Sequence, residues 1–250
     1  MSLFGKLTSE GLEQSQDRLG GFSPLDSGVY TAKIKALYAG QSAGGAMSIT
    51  LLAELSNGKE YRETVYVTNK EGKNFFLNKD DRTKKVPLPG FTVADDLCLI
   101  ATGKPLAEQE SEEKVINVYD FEAKKEMPKS VPMITEAIGQ EVSLGIIKQI
   151  VNKNVKQGTE YVATAETREE NFIDKVFHPT LKLSVAEARN GQDEPKFQEA
   201  WLARNKDQVR DKRTIKDGEA GTAGAGRPPK AGAAAPVAGV QTARKSLFGG

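Results

Sequence analysis

The chain has one cysteine, Cys98, and one histidine, His178, among its 250 residues. A single cysteine excludes an intramolecular disulfide and any zinc site built on Cys clusters. Cys98 falls in a segment of helical spacing and reads as a small buried side chain. A lone His with no Ser or Cys elbow excludes a nucleophilic dyad, so His178 reads as a surface or structural imidazole. No apolar run is long enough to span a membrane. The start, Met1-Ser2-Leu3-Phe4-Gly5-Lys6, has no apolar signal core, and a cytosolic protein is expected. No Gly-x-x-x-x-Gly-Lys-[Ser/Thr] loop occurs, and no helix pattern follows Gly44-Gly45, which excludes both common glycine fingerprints for nucleotides. Charge of one sign is also missing. The 35 Lys and Arg against 34 Asp and Glu leave a formal net charge of +1, so a polyanion site must be a local patch.

What is present is alternation. Gly28–Tyr38 places Tyr30, Ala32, Ile34, Ala36 and Tyr38 opposite Thr31, Lys33 and Lys35. Ala46–Leu55 places Met47, Ile49, Leu51, Ala53 and Leu55 on one face. Ser56-Asn57-Gly58 then predicts a tight hairpin, because Asn-Gly accepts positive φ. Lys59–Thr68 follows, with Tyr61, Glu63, Val65 and Val67 facing away from Arg62, Thr64, Tyr66 and Thr68. A basic aromatic loop runs from Asn69 to Phe76.

Further along, Thr92–Thr102 predicts a helix with Thr92 as cap and Gly103 as stop. Val115–Glu122 alternates as a strand, and Lys124–Ser130 reads as a basic connection. Pro132–Ile138 reads as a helical turn or two. Glu141–Asn152 predicts a long strand with a bulge or bend at Gly145, competing with a helix over Gly145–Asn152. Glu160–Glu166 returns as a strand and Asn171–Leu183 is irregular. Ser184–Arg189 begins a helix, and Pro195–Arg210 predicts another, packed through Phe197 and Trp201. The organisation expected is an arm over 1–27, a core over 28–212 and a tail over 213–250. Gly, Ala and Pro dominate the tail, so it cannot build a core and is expected to be disordered.

The chemical candidates form one cationic and aromatic surface: Lys33, Lys35, Arg62, Tyr66, Lys70, Lys73, Asn74, Phe75 and Phe76. Cations track phosphates, and rings stack on bases of any identity, which suits single-stranded nucleic acid. Phe75 and Phe76 have two fates open, stacking on bases or anchoring the loop in the core. A competing reading is a Mg²⁺-dependent nuclease, from Glu122-Ala123-Lys124 with Asp95, Asp96 and Asp120. A third is a non-enzymatic interaction factor acting through its ends. No cofactor or metal is called for by the favoured reading.

Four stretches resemble the single-stranded DNA-binding proteins of tailed bacteriophages: VYVTNKEGKNFF at 65–76, PLPGFTVADDLCLIATGKPLAEQE at 87–110, VYDFEAKKEMPKSVPMITEAIGQEVSLGIIKQIVNKNV at 118–155, and ETREENFIDKVFHPTLKLSVAEA at 166–188. The resemblance implies a mainly β, OB-fold-like five-stranded barrel with peripheral helices. It implies a non-catalytic protein that coats ssDNA during phage replication and recombination, in the cytoplasm of a bacterial host. Self-association is a further possibility for such a protein. Many replication proteins of this kind end in an acidic tail tipped by Phe. Here the chain from Thr214 onward carries Lys216, Arg227, Lys230, Arg244 and Lys245 against Asp217 and Glu219, so the tail is basic.

The tail ends Ser246-Leu247-Phe248-Gly249-Gly250, and Ser2-Leu3-Phe4-Gly5 repeats its tetrapeptide. Leu247 and Phe248 are the candidate contacts for phage or host replication proteins, tethered by the linker before them. Deleting Lys245–Gly250 is expected to leave the melting temperature unchanged and to abolish capture of those proteins from infected-cell extract. Recovery of the same partners by both forms rules the recruiting role out.

Overall fold

The computed structural model describes residues 23–120, 125–158 and 160–215. Residues 1–22 of the arm, the tail from 216 onward expected to be disordered, and with it Leu247 and Phe248, lie outside them. The architecture is mainly β. Its longest path is a run of antiparallel strands: β1 (Gly28–Gln41), β2 (Met47–Leu55), β3 (Glu60–Tyr66), β8 (Glu141–Gln157) and β9 (Glu160–Phe177), arranged as β3-β2-β1-β8-β9. A short ribbon, β4 (Phe75–Leu77) and β5 (Lys85–Pro87), leads into helix α1 (Pro89–Thr102). A hairpin of β6 (Glu112–Asp120) and β7 (Lys125–Met133) follows the helix and joins the sheet beside β1, where Tyr38 opposes Met133.

Strand β1 organises the rest. Its first half, Gly28–Lys33, pairs with β8, and its second half borders β7. The partner changes where the β1·β2 register shifts, between Ile34 and Ala36, leaving Lys35 without an opposite residue. This bulge overturns the unbroken alternation expected from the sequence. It turns Leu37 into the main core and swings Ala36 and Tyr38 to the outer face, where they pack with Val131 and Met133 in a second small cluster. The turn Thr135–Ala137 fills the changeover, and Ile34 bonds both Gln140 and Gly139 through its backbone.

The main core combines Ala32, Ile34 and Leu37 with Ile49, Leu51, Val142, Leu144 and Ile146, closed by Val93, Ala94, Leu97 and Cys98 of α1. Helix α1 begins three residues before the expected start. Pro89 supplies the first-turn φ and needs no N–H partner, so Leu88 rather than Thr92 is the capping position. Gly90 is required by close approach, since a Cβ there would lie 2.3 Å from the Tyr66 carbonyl oxygen. Gly103 ends the helix in the left-handed conformation, as expected.

Strand β8 is longer than predicted and runs with β9 as a two-stranded arm, so Asn171–Phe177 is strand rather than irregular chain. The helix alternative for Gly145–Asn152 does not form. The predicted bulge is present between Gly145 and Ile146, and it leaves Asp174 of β9 outside the register. Asp174 accepts a hydrogen bond from Trp201 Nε1 at 2.8 Å. That bond docks α3 (Lys196–Asn205) over Phe177 and Ile147, after the short α2 (Val185–Arg189), which Ser184 and Glu187 cap reciprocally. Phe197 stays 40% exposed, against expectation. Helix α3 stops five residues early because the chain beyond it is captured by a free sheet edge. Asp207 N–H donates to the Ser27 carbonyl, and β10 (Val209–Asp211) pairs parallel with Lys148–Ile150.

No ladder joins β3 to β9 among the described residues, so the five-strand path does not close by backbone pairing. A side chain bridges the gap. Glu63 Oε2 accepts from the Ile173 backbone N–H at 2.7 Å and from the Tyr61 hydroxyl at 2.6 Å. Glu63→Ala leaves both donors without a partner and should cost about 2–4 kcal/mol of stability in urea unfolding. Glu63→Gln retains an acceptor and should cost no more than about 1.5 kcal/mol. Equal costs for the two would sink this account of the bridge.

Candidate nucleic-acid interface

The outer face of β1, β2 and β3 is ordered in cross-strand rows. Lys33, Glu54 and Glu60 form one row, then Ala36, Leu52 and Arg62, then Tyr38, Thr50 and Thr64, then Gly40, Ser48 and Tyr66. Strand periodicity places these side chains together and sends Tyr61, Glu63 and Val65 inward. Thr50 and Thr64 bond each other at 2.8 Å, which ties β2 to β3 under the face. Arg62 Nη2 donates to the Tyr38 hydroxyl at 3.1 Å, so the guanidinium is oriented while its other donors stay available. Tyr66 is 54% exposed at the end of β3.

The predicted site residues separate into groups on this frame. Arg62 and Tyr66 are exposed on the β3 side of this face, whereas Tyr38, Ser48 and Thr50 beside them are buried. Lys33 and Lys35 lie at its acidic end, where Lys35 is paired to Glu54, whose carboxylate holds that ammonium above its ordinary pKa. Lys70 and Lys73 sit in the turn after β3. The Lys70 side chain passes close to Gly44 of the β1–β2 turn, and Thr68 Oγ1 accepts from Met47 N–H, so the two turns form one rim above Tyr66. Lys73 is paired to Glu71 at 2.9 Å. The Asn74 backbone carbonyl accepts from Leu88 N–H.

Phe75 and Phe76 are adjacent in β4, so they point to opposite faces of the ribbon and cannot act as one stacking pair. Neither belongs to a buried core cluster. Phe75 lies under Lys85, whose Nζ is 4.6 Å from the ring centroid, and Phe76 is 44% exposed.

The basic connection expected at Lys124–Ser130 is instead strand β7 from Lys125 onward. Pro128 and Pro132 are tolerated in this strand because, apart from Met133, the side of β7 away from β6 bonds no neighbouring strand. The alternation Met127, Lys129, Val131, Met133 was the available signal.

Other candidate groups are committed elsewhere. Asp95 accepts from Leu106 N–H at 2.8 Å and lies 3.9 Å from Arg189. Among the described residues no group of three or more His, Cys, Asp or Glu converges as a metal site. Glu122 and Lys124 lie outside those residues. Burial pushes the Cys98 thiol up to about 12, so it is no nucleophile at neutral pH. His178 Nδ1 accepts from the Thr180 and Leu181 N–H groups and so shapes its own loop, while burial lowers its pKa. No helix among the described residues is long and apolar enough to cross a membrane. A scan against protein-family models and a search of curated proteins each found no match to this chain.

Asp96 is raised to about 6, first by burial and then by the adjacent Asp95, with Arg189 and Lys175 opposing. Its folded value lies above its unfolded one, so its stabilising contribution is complete below about pH 4 and lost as pH rises through about 6. Asp96→Asn should therefore match the parent near pH 4 and exceed it at pH 7.5 by on the order of 1 kcal/mol, after discounting for partial exposure. Thermal melts across that range test the sign. A variant less stable than the parent at pH 7.5 refutes it.

Proposed function

We infer that this chain binds single-stranded DNA without sequence preference and coats it during phage replication and recombination, in the cytoplasm of a bacterial host. The observation that carries the reading is the outer face itself. It combines an oriented guanidinium on Arg62, an open ring on Tyr66, and a rim bearing Lys70 and Lys73 beside the exposed β4–β5 ribbon. Cations reach the phosphates while rings offer π faces to any base.

The order β3-β2-β1-β8-β9, with a helix following the third strand, supports an OB-fold-like arrangement, whose strand face and loops take oligonucleotides in this manner. In that arrangement Glu63 and α1 occupy the gap between β3 and β9, which no ladder spans among the described residues. Leu247 and Phe248 are read as contacts for replication proteins. No step of the reading requires catalysis, a metal or a cofactor.

Fluorescence anisotropy with labelled oligo-dT and a matched duplex tests the proposal, over a salt series and with and without Mg²⁺. Tighter binding to the single strand is expected, weakening steeply with salt as counterions are released. Tyr66→Ala should cost about 1–3 kcal/mol of affinity, the range for a lost stacking contact. Because Phe75 and Phe76 face opposite ways, their alanine variants should differ in effect. Equal affinity for duplex, a flat salt response, or cleavage in Mg²⁺ would overturn the reading.

A further inference from the structure

We propose that the β6–β7 hairpin is a second arm of the interface, whose lysine-bearing face carries the DNA strand beyond the edge of β1. The inference rests on the single-stranded DNA reading of the sheet face. Its ground is the hairpin register. Lys114 opposes Val131, Ile116 opposes Lys129, Val118 opposes Met127, and Asp120 opposes Lys125. Directly opposed residues of an antiparallel pair lie on the same face. All three lysines therefore share a face with Met127, Ile116 and Val118. The reverse face pairs Glu113 with Pro132, Val115 with Ser130, Asn117 with Pro128 and Tyr119 with Glu126, and carries two acids and no cation.

The lysine face is continuous with the sheet face. Val131 and Met133 are buried against Ala36 and Tyr38, with Leu52, Ile116 and Val118 packed on the same cluster. Tyr38 is the residue that holds Arg62. A strand leaving Arg62 thus passes over the buried Val131 and Met133 and meets Lys129, about 13 Å beyond Met133 along β7, then Met127 and Lys125. Lys129 forms no ion pair among the described residues. Glu112 neutralises Lys114 at the hairpin base, at 2.8 Å. Met127, 40% exposed between the two outer lysines, offers a polarisable apolar surface for a base. By register the lysine face carries three cations against Glu112 and Asp120, whereas the reverse face carries two acids and no cation. Cations alternating with such a side chain at Lys125, Met127 and Lys129 match a polyanion with apolar bases rather than an acidic protein surface.

The test compares the full chain with Lys125→Ala/Lys129→Ala, using oligo-dT of about six and about twenty nucleotides, within the span of known site sizes. Lys196→Ala/Lys206→Ala removes the same charge at α3 and serves as control. The hairpin variant should bind the long oligomer about tenfold more weakly, with a salt slope shallower by roughly 1.4 for two lost phosphate contacts. The short oligomer and the control should be nearly unaffected. A photoreactive residue at Met127 should crosslink to the long oligomer, and one at Asn117, on the reverse face, should not. If the parent binds and the hairpin variant matches it in affinity and slope, or if positions 117 and 127 crosslink equally, the hairpin arm is refuted. A parent that binds neither oligomer overturns the functional reading as well.

Discussion

The sheet path has two ends, β3 and β9, and a carboxylate from one accepts a backbone N–H from the other. Glu63 lies on the inward face of β3, between Tyr61 and Val65, where burial raises its pKa. Its hydrogen bonds to Ile173 and Tyr61 offset that burial. A ladder would have needed several residues of matched register. A single acceptor demands less, and it leaves room for α1 to pack against both β3 and β9. The helix then seals the core through Val93, Ala94, Leu97 and Cys98. Its entry is fixed by Gly90, the residue whose missing side chain lets the Tyr66 backbone approach. The residue that ends β3 on the outer face is therefore held by the helix that seals the inner one.

Two irregularities do comparable work on β1 and β9. The bulge at Lys35 divides β1 into a half that pairs with β8 and a half that borders β7. It also brings Tyr38 out to meet Arg62 and Met133. The bulge that frees Asp174 gives Trp201 and Arg210 a carboxylate, at 2.8 and 3.5 Å, and so fastens α3 and β10 to the sheet. Farther along β8, buried Asn152 accepts from the Thr214 and Ile215 N–H groups and donates to the Ile215 carbonyl. Thr214 and Ile215 are thereby fixed beside the β8–β9 arm.

Local sequence patterns determined much of this. Alternation identified β1, β2, β3 and β8, Asn57-Gly58 the hairpin, Gly103 the helix end, and Gly145 the bulge. Arg62 and Tyr66 were legible as outward residues because a strand of period two leaves no choice once Tyr61 and Val65 face inward. Even Glu63 carried a signal, as an acid on an otherwise apolar face.

Tertiary structure decided what local pattern could not encode. Which lysines remain available depends on cross-strand partners, and Glu54 takes Lys35 while Lys129 meets no acid among the described residues. Whether Pro128 and Pro132 permit a strand depends on that strand having an unpaired side. Where α3 stops depends on β8 offering a free edge to Val209–Asp211. Each outcome was set by residues distant in the chain, because pairing and burial are properties of the assembled sheet, whereas periodicity, capping and turn chemistry belong to a few consecutive residues and were already written in their order.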